Sequence, residues 1–224
     1  MKKQSTPEYG KVKLFAKITS PVFSALFYVF VVFFLVLIIL SLILAIVNVT
    51  PDKLLLPPFM HLVHENGQHT GYNLYVGNGI RIFAEKDVVT LAAMKKVIYS
   101  GIIVLGSFCL AAAPFCRFMA RLFKNLGAGM VFAAKNPRYI YYIGLDVMLG
   151  VTLYRFVSRF YNYNLVKHFA ADASNVHLSL SVDYSGILIG LLILLFGCIY
   201  GYACGVFKQI SEKEETKSNL PKEQ

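Results

Sequence analysis

ITSPVFSALFYVFVVFFLVLIILSLILAIVNVT, the stretch from Ile18 to Thr50, contains no charged side chain and is built almost wholly from Val, Leu, Ile, Phe and Ala. A helix rises about 1.5 Å per residue and so crosses a hydrocarbon layer of roughly 30 Å in about twenty residues. The stretch therefore spans a bilayer with turns to spare, and the excess is taken up by tilt or by a last turn that emerges on the far side. A secretory signal has an apolar core of roughly 7–15 residues and a small-x-small cleavage site. This run is far longer and has no such site before Thr50 and Pro51, so it reads as an uncleaved anchor.

Three more apolar segments follow. Val97 to Cys116 is free of charge, Tyr139 to Tyr154 is apolar apart from Asp146, and Ser185 to Phe207 is charge-free until Lys208. The third reaches full length when Arg155 and Arg159 sit near its end and extend their heads to the interface. The fold class expected is an all-α membrane protein, a bundle of four transmembrane helices with spans near 20–48, 97–118, 139–160 and 184–207. A segment 1–17 precedes this membrane domain of residues 18–216, and a disordered tail, 217–224, follows it. Composition agrees: 57% of residues are hydrophobic and the mean hydropathy is +0.59. A water-soluble domain with those values would expose large apolar patches. A chain of 224 residues leaves no room for a separate soluble enzyme beside four spans.

The net charge of +10 is concentrated beside the apolar runs. There it sets orientation and meets anionic lipid headgroups; it is not a nucleic-acid surface. Lys2, Lys3, Lys11, Lys13 and Lys17 face only Glu8 before the first span, and Arg117, Arg121, Lys124, Lys135 and Arg138 crowd the loop 119–138 and its edges without any acid. Both segments are expected on the cytoplasmic side. The segment 51–96 mixes both signs and 162–183 holds Lys167 alone as a basic residue, so these are the outer loops. Four spans then return the C-terminus to the side of the N-terminus, the cytoplasmic side.

The first outer loop is patterned. Tyr72, Leu74 and Val76 alternate with Asn73 and Tyr75, Gly77-Asn78-Gly79 intervenes, and Ile80 and Ile82 flank Arg81. This predicts a small β-hairpin with Asn78-Gly79 at the tip, since Asn-Gly supplies the positive φ angles of a two-residue turn. Glu85 to Lys96 is expected to lead helically into the second span. All five histidines fall in the outer segments. His61, His64 and His69 are candidate metal ligands because His-x-x-His puts two imidazoles on one helical face. No CxxC or HExxH frame accompanies them, so no metal and no cofactor is assigned. Cys109, Cys116, Cys198 and Cys204 lie within spans, where small polarizable side chains pack helices, and no disulfide framework is expected.

Asp146, Arg155 and Arg159 are the polar groups at membrane depth. Asp146 stands about seven residues inside the third span, where an unpaired carboxylate is costly. Arg155 is nine positions on and therefore on the opposite helical face. Asp146 either anchors its span by bonding to Tyr28, Tyr200, Tyr202 or an inner Arg, or serves an ion or proton path. Gly186 and Gly190, then Gly197, Gly201 and Gly205, form small-xxx-small rows in the fourth span that let helices approach closely, within one bundle or between the halves of a homodimer. Pro114 is expected to kink the second span near its inner end.

The inner stretch LFKNLGAG, residues 122–129, followed by Phe132, Asn136, Arg138 and Tyr142-Ile143-Gly144, resembles the bacterial membrane family called DUF2975. The motif positions are Leu126, Gly129, Phe132, Asn136, Arg138 and Gly144, and Val206-Phe207-Lys208-Gln209 before a glutamate-rich tail is similar to the family's last span. The resemblance runs from about Lys13 to Thr216. It departs at Ala133 and Ala134, where the family carries acids, and at Asp146, in a span the family keeps apolar. The resemblance implies four spans and a membrane location, with no established activity; some members resemble companions of small helix-turn-helix regulators.

No nucleophile motif or catalytic spacing is present, so an enzyme is not expected. The function expected is that of a non-enzymatic membrane protein that senses an envelope signal or modulates a membrane or regulatory partner. The alternative is a small transporter, or an immunity-type protein against a membrane-active peptide.

Overall fold

The computed structural model describes residues 7–46, 60–65, 68–76, 80–85, 90–169 and 184–218. Its elements are α1 (Pro7–Ile46), β1 (Met60–Glu65), β2 (Gln68–Val76), β3 (Ile80–Glu85), α2 (Leu91–Gly127), α3 (Asn136–Phe169) and α4 (Ser185–Ser218). Among the described residues, four helical segments are long and apolar enough to cross a membrane: Gly10–Ile46, Leu91–Gly127, Asn136–Phe169 and Ser185–Glu214. That is the make-up of a multi-pass membrane protein. Large apolar side chains stand exposed along every helix, among them Leu14 at 60%, Leu149 at 65% and Phe196 at 66%. In water such a surface would aggregate; in lipid it is the solvated face.

Local sequence sets the helix ends. Thr90 caps α2, with its hydroxyl accepting the Ala93 N–H at 3.2 Å and its carbonyl accepting that of Met94 at 3.0 Å. The helix therefore starts at Leu91, later than the helical lead-in expected from Glu85, which belongs to β3. At the other end Gly129 has φ 81°. The Gly129 N–H reaches the Leu126 carbonyl and the Met130 N–H the Asn125 carbonyl, both at 2.9 Å. This is a Schellman closure, and its left-handed position strains any residue with a Cβ. Pro137 lies in the first turn of α3, where a missing N–H costs nothing.

The chain divides into two compact units: Met1–Val31, Leu110–Thr152 and Tyr184–Gln224 form the first, Val32–Cys109 and Leu153–Asp183 the second. In the first unit the helices pack as antiparallel neighbours in chain order. On the α1/α2 seam the Ser20 hydroxyl donates to the Ala120 carbonyl at 3.0 Å, Phe15 meets Phe123 at 6.0 Å, and Phe23 meets Phe115 at 6.3 Å. On the α2/α3 seam Phe118 stacks on Tyr142 at 5.1 Å, and a Cβ added at Gly150 would lie 2.5 Å from the Ala111 Cβ. The α3/α4 seam is equally tight, at more positions. A Cβ at Gly190 would lie 2.5 Å from the Met148 Cβ and 2.7 Å from the Gly144 carbonyl oxygen, and one at Gly186 would lie 2.9 Å from Val151. Residue numbers rise on one helix as they fall on its neighbour, so the start of α1, the ends of α2 and α4 and the start of α3 share one end of this unit.

The second unit has its own core: Leu44 of α1, Ala84 of β3, Met94 and Val97 of α2, and Leu165 and Phe169 of α3. Its sheet has the order β1-β2-β3, antiparallel throughout, with Val76 opposite Ile80 and an irregularity between Val63 and His64. Gly71 is needed where β2 passes β3, since a Cβ there would lie 2.5 Å from the Ala84 carbonyl oxygen. The expected tip, Asn78-Gly79, lies outside the described residues, as do most side chains of the sheet. The helical stacking of His61 and His64 does not arise, because Met60–Glu65 is a strand. Side chains three apart on a strand do not share a face as they do on a helix.

Candidate functional site

The described polar groups that converge in the first unit do so at the end where α2 turns into α3. Asn136 is 0% exposed. Its Nδ2 donates to the Met130 carbonyl at 2.9 Å and to the Val131 carbonyl at 2.8 Å, while its Oδ1 accepts from Asn125 Nδ2 at 2.7 Å. The Tyr200 hydroxyl, from α4, also donates to the Val131 carbonyl. One buried amide thus holds the end of α2, the connecting loop and the start of α3, and a tyrosine ties the same loop to α4. Phe132 stacks on Phe207 at 4.4 Å, a second clasp between loop and α4. The buried amide has both its donor and its acceptor sides occupied, as a polar group removed from water requires.

This arrangement presents basic side chains without acids. Arg117, Arg121, Lys124, Lys135 and Arg138 are all exposed. The Arg117 guanidinium lies 5.5 Å from the Phe27 ring centroid. Gly127 is buried under α1, where an added Cβ would meet the Lys17 side chain at 3.1 Å. Where α4 runs on past the loop, Lys208 meets Glu212 at 3.6 Å, an exposed pair of little energetic consequence.

Each motif position has a physical task in this region. Leu126 and Gly129 close α2, Phe132 clasps α4, Asn136 forms the polar node and Arg138 adds charge beside it. Gly144 admits α4, for a Cβ there would lie 2.9 Å from Leu194 Cγ. Sequence reasoning missed Asn125, Tyr200 as a loop clasp, and Gly150. An asparagine followed four residues later by a left-handed glycine was a readable signal for the first. The other two depend on which faces meet.

Asp146 is half-buried on α3. The contacts on either side, Phe118 with Tyr142 and Ala111 with Gly150, place it level with Pro114. Proline has no N–H for the Leu110 carbonyl and its ring displaces that carbonyl. Arg155 is exposed and Arg159 half-buried, both in the second unit. Gly186, Gly190 and Gly197 are buried against α3, Gly201 makes ordinary contact with Pro137 at 3.5 Å, and Gly205 meets nothing within 4 Å. Each step of four residues rotates about 40° around a helix, which carries the row off the seam by Gly205. All four cysteines are free. The side chains of His61, His64 and His69 lie outside the described residues.

No protein-family model, curated protein or solved structure matches the chain.

Proposed function

We infer that this chain is a non-enzymatic protein of a bacterial cytoplasmic membrane, of the DUF2975 kind, that passes an envelope signal to a membrane or regulatory partner. Its N- and C-termini face the cytoplasm, its outer β-hairpin loop is the receiver, and the basic stretch from Arg117 to Arg138, around the turn from α2 to α3, is the surface a partner meets. The observation that carries this reading is the buried Asn136 node. It fixes in one conformation the short loop that joins α2 to α3, and that loop and the helix ends beside it carry exposed cations and no acid, which favours recognition by a partner over a merely solvated turn. The composition of the same end favours contact with anionic headgroups.

A second reading, a small transporter or an immunity-type protein, draws on the carboxylate beside Pro114. The half-buried Asp146 is read as an anchor, a role in which Asn serves nearly as well because its carbonyl oxygen still accepts a hydrogen bond. One experiment separates the readings. In a strain deleted for the gene, the transcriptional profile is restored by wild type and by Asp146→Asn, and is not restored by Lys135→Glu/Arg138→Glu, all three inserting equally. Restoration by the charge-reversed loop would remove the loop from the function. An inserted but inactive Asp146→Asn would move the function to an ion or proton path.

A further inference from the structure

We propose that the α1/α2 face of the first unit holds a discrete site for an anionic phospholipid, whose phosphate is bound by Arg117, Arg121 and Lys124. The proposal rests on the reading of the chain as membrane-embedded and is independent of which way it faces. The three cations are spaced four and three residues apart, so they form one exposed stripe within about 60° of the α2 circumference. α2 contains no Asp or Glu, and neither does α1 from Gly10 to Ile46, which contributes Lys17 beside Gly127.

Their depth is what separates this stripe from an ordinary basic edge. Phe118 is level with Tyr142 on one seam; on the other, Gly144 packs on Leu194 and Pro137 on Gly201. Arg117 to Lys124 therefore stands abreast of Leu194 to Gly201 on α4. That stretch is charge-free, and its outer face is exposed: Leu195 57%, Phe196 66% and Ile199 58%. The next charge on α4 is Lys208, seven residues or about 10 Å further along. The depth that α4 gives to hydrocarbon is thus the depth at which α2 carries three cations. Cations there need an anion or a path to water.

The neighbouring surface fits one source of that anion. Arg117 lies over Phe27, and Phe23 stacks on Phe123 at 5.8 Å, so the cations border an aromatic surface on the α1/α2 seam. A phospholipid brings a phosphate and acyl chains together and matches both. A free phosphate ion matches only the first.

The test uses the full chain, purified in detergent, with dioleoyl phosphatidylglycerol and dioleoyl phosphatidylcholine as probes and retained lipid counted by native mass spectrometry. Wild type is expected to retain phosphatidylglycerol at least tenfold over phosphatidylcholine. Arg117→Gln/Arg121→Gln/Lys124→Gln lowers that preference to under twofold. Arg117→Lys/Arg121→Lys, which keeps the charge, stays above fivefold, as does the control Lys208→Gln/Lys213→Gln on α4. Millimolar inorganic phosphate leaves the lipid in place. No preference in wild type, an equal loss in the α4 control, or displacement of the lipid by phosphate would overturn the proposal. The Lys double variant shares the triple variant's packing risk but not its charge loss, so its loss of preference would overturn it too. Extraction of the chain from membranes by alkaline carbonate would instead sink the membrane reading itself, a failure distinguishable from lipid indifference in a carbonate-resistant protein.

Discussion

Gly190→Leu is expected to collapse the folded yield in mild detergent by tenfold or more, while Gly205→Leu behaves as wild type. An added Cβ at Gly190 would lie 2.5 Å from the Met148 Cβ and 2.7 Å from the Gly144 carbonyl oxygen, whereas at Gly205 nothing lies within 4 Å. Backbone and Cβ atoms cannot rotate away as a side-chain end can, so α3 and α4 must separate along the seam. Overpacking of this kind costs about 1–3 kcal/mol even where a core yields. In lipid no hydrophobic drive pushes separated helices back together, and close approach is itself the source of association. Gly201→Leu is expected to fall between the two, since its nearest neighbour, Pro137, is 3.5 Å away. Fluorescence-detected size exclusion of the three variants checks the order. Equal yields for Gly190→Leu and Gly205→Leu would remove the seam as the basis of the bundle.

Asn136→Leu is expected to lower the midpoint of thermal unfolding by several degrees and to release the loop between α2 and α3. It deletes three side-chain hydrogen bonds at a position with no exposure. The Asn125 amide and the Met130 carbonyl lose that partner, and since both belong to residues that water reaches in part, the cost falls at the lower end of the roughly 1–3 kcal/mol of a buried group left without a partner. Asn136→Asp is expected to be nearly as damaging, because a carboxylate cannot donate to the two carbonyls that Nδ2 now serves. Tyr200→Phe removes one bond to a carbonyl that Asn136 still serves and is expected to cost about 1 kcal/mol. Limited proteolysis between Ala128 and Lys135 reads the release: rapid cleavage in Asn136→Leu, slow cleavage in wild type and Tyr200→Phe. A protease-resistant, thermally unaltered Asn136→Leu would show that the loop is held by its apolar clasps alone.

The four long helices were legible because their signal is one-dimensional: runs such as 18–50 and 185–207 exceed what a bilayer needs, whatever they pack against. The α4 glycines were legible as a row but not as a set of contacts. Sequence spacing places Gly205 with Gly197 and Gly201, and only the actual seam shows that the row has turned away from α3 by then. Gly150 went unnoticed for the complementary reason. It stands alone, and its role comes from Ala111 on another helix. Asn136 stood in a recognisable motif, yet its burial depends on Asn125 and Tyr200, eleven and sixty-four residues away. The partner of Asp146 was sought among side chains because a carboxylate has no local preference, and none of the side chains named for it is shown to reach it. The strand Met60–Glu65 was hidden because its apolar/polar alternation fails where Val63 follows Leu62 and Glu65 follows His64.

The central claim is that the basic end, with the Asn136 node, faces the cytoplasm, and that the segment leading into α2 faces outward. In a cysteine-less background, single thiols at Thr90 and Ala134, both exposed positions, test it directly with a membrane-impermeant maleimide. The account predicts that intact cells label Thr90→Cys and leave Ala134→Cys unlabelled until they are permeabilised. Labelling of Ala134→Cys from outside, with Thr90→Cys protected, would contradict it.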